Sequence, residues 1–149
     1  MDLAEVRAAE DFLRTQIPIT RAMGLRVATD ERGQFVAEAP VALNHNHLRT
    51  GFGGSINAIA TLAAYGCLWL ELRGDKALHV VVSESTIRFL RPVRETIRAI
   101  CARPNKKELR QFQSAFAANG KARIRLSVTV EEDEKLAAAF RGTFVASMA

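Results

Sequence analysis

The stretch that decides the fold is GGSINAIATLAAYGCLWL, residues 53–70, which contains no charged side chain. Its length is close to the roughly twenty apolar residues that cross a bilayer, so a membrane span has to be considered. However, glycine, serine, asparagine and threonine interrupt the stretch, and small residues outnumber leucine and isoleucine. In the middle of an otherwise amphipathic chain, this composition predicts a helix that is buried on most sides inside a soluble domain.

The chain as a whole has the size of one domain, which we assign to residues 1–149. Hydrophobic residues make up 48% and charged residues 25%, so a sizeable core can form. The net charge of +5 is compatible with nucleic acid, an anionic membrane or a phosphorylated small ligand. Because the basic residues are scattered and aromatic residues are only 7%, we expect a small-molecule ligand, with no nucleic acid and no membrane as partner.

The cysteines and the N-terminus predict a cytoplasmic protein. Cys67 and Cys101 each lie in an apolar run, so neither a disulfide framework nor a zinc ribbon is expected. The first residues, MDLAEVRAAEDFL, begin acidic and lack the basic and apolar blocks of a signal peptide.

The remaining periodicity predicts an α+β fold. A first helix ends before Pro18, the central helix ends near Arg73 and Gly74, and a later helix begins at Asn105 with Glu108 as its capping partner. Alternating or β-rich runs predict strands at residues 24–29, 34–39, 78–90, 96–102, 122–130 and 136–146. We expect a curved antiparallel sheet of about six strands wrapped around one long hydrophobic helix, with the outer sheet face available for dimerisation.

The candidate chemistry lies where the polar loop LNHNHLRTG, residues 43–51, meets Phe52-Gly53-Gly54-Ser55. Glycines at a helix start let a ligand approach the free backbone N–H groups, which together with the helix dipole stabilise a developing oxyanion. The carbonyl oxygen of a thioester develops that charge when water attacks it. Close packing against the glycine pair is the alternative explanation.

This order of residues resembles that of the hot-dog thioesterases, especially the phenylacetyl-CoA-thioesterase type. Those proteins carry an Asn, five variable residues, His-Gly-Gly at the start of the long helix, and a carboxylate about two turns into it. Here Asn46, Gly53 and Gly54 match, Phe52 replaces the His, and Thr61 stands at the carboxylate position. The NHNH loop and the GFGGS segment are still more similar to thioesterase domains that in some proteins follow an acetyltransferase.

The resemblance implies a hot-dog homodimer or dimer of dimers that hydrolyses an acyl-CoA or acyl-carrier-protein thioester at the subunit interface. No cofactor is expected, because coenzyme A enters as part of the substrate. Asn46 would orient the thioester or water, the N–H of Gly54 would bind the oxyanion, and Thr61 or His45 would hold water. Because a threonine hydroxyl is no base near neutral pH, two alternatives stay open, namely a non-catalytic acyl-CoA or acyl-carrier binding dimer and a hot-dog dehydratase.

Other residues are predicted to contact the substrate or to play structural roles. Substrate contacts are predicted for Phe52, Gly53, Ser55, Ser83, Ser85 and Arg88. The two serines interrupt an otherwise apolar face of strand 78–90 that also carries Val81, Ile87 and Phe89, and this face is predicted to point inward.

For several of these residues a structural explanation remains open. Arg88 could meet coenzyme A phosphates or pair with Glu84 in solvent. Thr61 could instead bond to a helix carbonyl. His45 and His47 flank Asn46, but the further ligands of a metal site are absent from their surroundings in sequence, so no metal is expected.

Overall fold

The structure is a computed structural model that describes residues 1–72 and 78–148. The helices are α1 (Leu3–Gln16), α2 (Ile19–Met23), α3 (Gly53–Leu72) and α4 (Lys106–Asn119), with a single 3-10 turn at Val41–Leu43. The strands are β1 (Arg26–Thr29), β2 (Phe35–Pro40), β3 (Leu78–Phe89), β4 (Thr96–Cys101), β5 (Lys121–Glu132) and β6 (Lys135–Met148). The six predicted strands and the central helix are therefore confirmed, with boundaries that move by a few residues.

The six strands form one antiparallel sheet in the order β1-β2-β4-β5-β6-β3. The hairpin between β1 and β2 closes as its sequence predicts, because the Asp30 carboxylate accepts hydrogen bonds from the N–H groups of Arg32 and Gln34. Gly33 follows in the left-handed region at φ +75°, which a residue with a side chain rarely adopts. β1 and β3 form the two edges of the sheet.

Helix α3 packs on the sheet and contacts five of its strands, β2 to β6. Its buried face includes Ile59, Ala63 and Leu68, none of which is exposed. Close approach requires Gly66, where an added Cβ would come within 2.5 Å of the Phe35 ring. By length and composition α3 is also apolar enough to cross a membrane, but 56% of that span is buried inside the fold, as a core helix requires. The helix end predicted at residues 73 and 74 lies outside the described residues.

The N-terminal segment contains one element that the sequence analysis missed. Pro18 ends α1 as predicted, but it also opens the short helix α2. Buried Thr20 holds this corner, since its hydroxyl donates to the carbonyl of Ile17 at 2.7 Å and lies 3.2 Å from that of Leu13. The predicted capping box at the start of α4, between Asn105 and Glu108, is confirmed.

The predicted inward face of β3 is wrong over its first half. A bulge at Ser83 separates Val82, which pairs with Phe144, from Glu84, which pairs with Thr143. Because one inserted residue reverses the alternation of side chains, Val82 rather than Val81 shares the helix side of the sheet before the bulge. After the bulge, the predicted face is confirmed for Ser85, Ile87 and Phe89.

Candidate functional site

The loop before α3 is fixed at both ends by hydrogen bonds. Asn44 is buried, and its Nδ2 donates to the carbonyls of Met23 and Pro40, each at 2.9 Å. Its own carbonyl accepts from the N–H of Phe52 at 2.8 Å, while the N–H of Gly51 donates to the carbonyl of Val93 at 2.7 Å. These bonds tie the first turn of α3 to β2, to α2 and to the segment after β3.

The first turn of α3 carries three free N–H groups. The first helical bond runs from the N–H of Ile56 to the carbonyl of Phe52 at 2.9 Å. The N–H groups of Gly53, Gly54 and Ser55 donate to no other described residue. Since they lie at the positive end of the dipole of a twenty-residue helix, they form a place where negative charge on an oxygen is stabilised.

Two phenylalanine rings flank these N–H groups. A Cβ at Gly54 would come within 2.5 Å of the Phe52 ring, and one at Gly53 would lie 3.4 Å from the Phe89 ring. Both rings are 54% exposed. The glycines therefore serve two purposes, since they let the rings lie against the helix and leave the amides accessible between apolar walls.

Asn46 lies half-buried in the loop, and most of its hydrogen-bonding capacity is used there. Its Oδ1 accepts from the N–H of Leu48 at 2.9 Å and from the N–H of Thr50 at 3.2 Å. Its Nδ2 lies 3.0 Å from the Thr50 hydroxyl, which leaves one amide hydrogen for a ligand. The side chain therefore shapes the loop and keeps a single donor free.

His45 is exposed and linked to the left-handed residue Arg49. Its Nδ1 lies 2.8 Å from the carbonyl of Asn46, and its Nε2 lies 3.0 Å from Nη1 of Arg49, whose φ is +64°. The carbonyl of Asn46 can only accept, so Nδ1 donates to it, and the guanidinium of Arg49 can only donate, so the Nε2 lone pair accepts from it. His45 is then a poor candidate for the base that activates water.

A depression of about 340 Å³ lies beside this pair and has a positive wall. Its lining includes His45, Arg49 and Arg94, with Glu95 as the one acidic side chain. Two guanidinium groups on one concave surface are a suitable environment for phosphate oxygens.

Thr61 and Tyr65 lie on the uncovered stripe of α3 that begins at Gly54. The Thr61 hydroxyl donates to the helix carbonyl of Asn57 at 2.8 Å, as the structural alternative predicted. Farther along the same stripe, Leu68 and Leu72 are buried. The stripe is therefore open over its first three turns and closed beyond them.

Helix α1 closes the stripe with a stack of aromatic rings. The ring centroid of Phe12 lies 4.5 Å from that of Trp69 and 6.0 Å from that of Tyr65. Burial in this stack raises the pKa of the Tyr65 hydroxyl, so the tyrosine is neutral throughout the physiological range.

Asn57, which the sequence analysis did not select, lies on the flank of the stripe. Its Oδ1 is buried and has no hydrogen-bond partner among the described residues. Buried polar atoms are nearly always paired in folded proteins, so an unpaired one indicates a missing ligand, water or partner. No sequence pattern marks such an atom, because its pairing depends on the packing around it.

Only some of the residues predicted to contact the substrate lie on the same side of the sheet as the start of α3. Ser55 lies half-buried in the first turn of α3, and Ser85 shares the helix side of the sheet with Phe89. Ser83 lies in the bulge and donates to the carbonyl of Thr143 at 3.2 Å. Arg88 alternates with Phe89 and therefore faces away from α3, so within one subunit it is remote from the free amides.

A larger groove in the described part of the chain, of about 820 Å³, lies elsewhere. It separates the β1–β2 turn from the β5–β6 turn, and acidic side chains such as Glu31, Glu131 and Glu134 dominate its lining. None of the predicted site residues lines it. No three His, Cys, Asp or Glu side chains within residues 1–72 and 78–148 are grouped so that they could hold a metal ion.

Replacing Asn44 with alanine is expected to destabilise the protein by about 2 to 4 kcal/mol, because two backbone carbonyls would lose a buried donor. Chemical denaturation followed by circular dichroism measures this loss. His47→Ala in the exposed part of the same loop is the matched control and should change the free energy of unfolding by less than about 0.5 kcal/mol. Equal stability of the two variants would show that Asn44 does not anchor the loop.

Comparison with solved structures supports the same architecture. A protein of unknown function from Chlorobaculum tepidum is 29% identical, with a TM-score of 0.89 over 97% of this chain and 94% of that one. A "putative thioesterase" from Shewanella oneidensis is 26% identical, with a TM-score of 0.80 over 97% and 98% of the two chains. The PaaI protein of the Escherichia coli phenylacetic acid degradation operon shares the fold, at 20% identity and a TM-score of 0.63 over 95% and 92%.

The sequence family described as "Putative thioesterase (yiiD_Cterm)" matches residues 6–148, which is nearly the whole chain. The match includes the loop, the glycine-rich helix start and all six strands. The chain therefore belongs to this thioesterase family and has the hot-dog fold.

Proposed function

We propose that the protein hydrolyses acyl thioesters of coenzyme A, with the thioester carbonyl bound at the start of α3. The observation that carries this proposal is the set of three free N–H groups at Gly53, Gly54 and Ser55 between two aromatic rings. Such preorganised donors stabilise the oxyanion of a tetrahedral intermediate where water is excluded. The N–H of Gly54 is the principal donor, and no cofactor takes part, because coenzyme A is part of the substrate.

The remaining amide hydrogen of Asn46 orients the bound thioester from the loop side. The acyl chain follows the open stripe of α3 past Ala58 and Thr61. From Gly54 to Tyr65 this stripe is about 16 Å long, because an α-helix rises about 1.5 Å per residue. The aromatic stack at its end limits the chain, so short, medium and aryl acyl groups fit better than long ones.

The positive depression beside the loop binds the phosphates of coenzyme A. Arg49 and Arg94 line it together with His45, whose ring fixes the Arg49 guanidinium. This assignment favours coenzyme A over an acyl carrier protein, since the latter presents a single phosphate on a protein surface. It also replaces Arg88 as the expected phosphate contact within one subunit.

A second copy of the chain completes the site. The edge strand β3 leaves one row of backbone groups unpaired, and Val81, Val82, Phe89 and Leu90 beside it are 41–62% exposed. Edge pairing between two copies would cover these side chains and place a partner wall opposite Phe89, next to the free amides. The active unit is therefore a homodimer, alone or as half of a dimer of dimers. The cytoplasm is the compartment in which we propose that it acts.

Thiol release from acetyl, medium-chain, long-chain and aryl acyl-CoAs tests this proposal. We expect turnover that is highest for medium or aryl groups and falls for chains longer than the stripe, from a protein that sediments as a dimer or tetramer. A control without substrate is required, because Cys67 and Cys101 are free thiols. A folded oligomer that binds coenzyme A but hydrolyses nothing in the panel would instead establish the non-catalytic binder, which the absence of a carboxylate at Thr61 favours.

Asn46→Asp is expected to lower kcat/KM about tenfold to a hundredfold, because its one free donor to the reacting group is lost. The carboxylate still accepts from the N–H groups of Leu48 and Thr50, so the loop keeps its shape while the donor is lost. Steady-state kinetics, with the melting temperature as a control on folding, measures the effect. Unchanged kinetics in a stable variant would remove Asn46 from the site.

Arg49→Ala combined with Arg94→Ala is expected to raise KM for acyl-CoA about tenfold or more, with kcat nearly constant, because the phosphates are bound alike before and during the reaction. The same acyl group on N-acetylcysteamine, which has no phosphate, is the matched control substrate. The parent and the double variant should hydrolyse it equally. An equal loss on both substrates would contradict the phosphate assignment.

A further inference from the structure

One carboxylate connects the β5–β6 turn to the segment that leads into β4. Oε1 of Glu132 accepts a hydrogen bond from the N–H of Arg94 at 2.8 Å. Its Oε2 accepts from the N–H groups of Glu95 and Thr96, at 2.9 and 3.2 Å. Hydrogen bonds to an ionised acceptor are shorter and stronger than neutral ones. Glu132 therefore fixes the backbone of three successive residues that lie at least 36 positions earlier in the chain.

The surroundings of Glu132 keep this carboxylate ionised. Burial alone would raise the pKa of Glu132, but the three N–H groups and the nearby Arg94 guanidinium outweigh burial and lower it. The exposed Glu134, which belongs to the same turn, makes no hydrogen bond to another described residue. Glu132 is thus set apart from its neighbouring carboxylate by its contacts with the backbone of residues 94–96.

The same segment holds both ends of the loop before α3. The carbonyl of Val93 accepts from the N–H of Gly51 at 2.7 Å, and the carbonyl of Glu95 accepts from the N–H of Val41 at 2.9 Å. Packing is also close at one end, since a Cβ added at Gly51 would lie 3.3 Å from the Cβ of Val93. Residues 93–96 are therefore held by Glu132 through their N–H groups and hold the loop 41–51 through their carbonyls.

We infer that Glu132 is a positioning residue of the candidate site, which sets the loop that carries Asn46 and leads into the free amides of α3. This inference rests on the proposed hydrolysis. Glu132 contacts neither the thioester nor water, and it gives up no proton during the reaction. Its effect on the rate comes from geometry, because a displacement of about 1 Å in the groups that orient a substrate can cost about a hundredfold.

Glu132→Gln tests this inference with a side chain of the same size. The amide group offers one acceptor oxygen, and its NH2 group can only donate, so at least one of the three backbone bonds is lost. We expect kcat on the best acyl-CoA of the panel to fall about fivefold to fiftyfold, because the loop and the amides are less precisely placed. The thioester of N-acetylcysteamine should lose as much, since both substrates use the same loop.

Two control variants separate positioning from charge and from stability. Glu134→Gln removes a carboxylate from the same turn without removing a backbone bond, and it should leave kcat unchanged. Asn105→Ala removes the capping box of α4 and so destabilises the protein away from the loop. It should lower the denaturation midpoint but leave kcat at a permissive temperature unchanged, as would a Glu132 that served stability alone.

Amide hydrogen exchange gives a readout that does not depend on activity. In Glu132→Gln the N–H groups of Gly51 and Val41 should exchange about tenfold faster or more than in the parent, because local opening of the loop becomes easier. In Glu134→Gln their exchange should match that of the parent.

The outcomes separate the inference from the proposed function. An active parent with an equally active Glu132→Gln variant would overturn the positioning role, and so would a loss of kcat that Asn105→Ala reproduces. A loss confined to acyl-CoA, with the N-acetylcysteamine thioester unaffected, would also overturn it, since Glu132 would then act through Arg94 on the phosphates alone. A parent inactive on every acyl-CoA would overturn the hydrolysis itself, while unchanged exchange at Gly51 and Val41 would show that Glu132 does not hold the loop.

Discussion

Burial of α3 is the constraint on which the rest of the structure depends. A helix of twenty residues with no charge before Glu71 cannot remain in water, and a flat layer would cover only one of its sides. The antiparallel sheet curves so that five strands contact the helix, and α1 crosses its C-terminal half. What remains uncovered is the N-terminal half of one stripe, from Gly54 to Tyr65. The candidate site thus lies on a part of the helix that the fold leaves only partly buried.

The same segment meets a packing requirement and, in the proposed function, a chemical one. Gly53 and Gly54 admit the rings of Phe89 and Phe52, and they also leave their N–H groups unobstructed. An oxyanion gains most from such donors when apolar groups keep water away, because electrostatic interactions strengthen in a low dielectric. The ring of Phe52 therefore contributes an apolar wall beside these amides.

The sequence predicted those features that depend on local patterns. The apolar run 53–70, the β1–β2 turn at Gly33 and the capping box of Asn105 each follow from spacing or from one residue type, and all are confirmed. The bulge at Ser83 was not predictable, because no residue type marks the position at which a strand gains an extra residue. The bulge is defined only by how β3 pairs with its partner strand. The predicted orientation of the β3 side chains before the bulge was wrong for that reason.

The candidate site shows the same division. The order of residues along the chain indicated the loop and the glycine pair, since the first amides of a helix lack helical partners whatever packs around them. The unpaired Oδ1 of Asn57 and the contact between His45 and Arg49 involve neighbours that only the folded chain brings together. The same contact weakens His45 as a base. The roles of Asn46, Gly54 and Thr61 in catalysis stay predictions that kinetics must decide.

The placement of the thioester at the start of α3 is tested most directly by a crystal structure with a non-hydrolysable acyl-CoA, in which a methylene group replaces the sulfur and leaves a ketone. The ketone oxygen is predicted to lie within hydrogen-bond distance, about 3 Å, of the Gly54 nitrogen. The acyl chain should follow α3 toward Tyr65. A ketone bound away from the first turn of α3, for example in the acidic groove between the β1–β2 and β5–β6 turns, would contradict this placement.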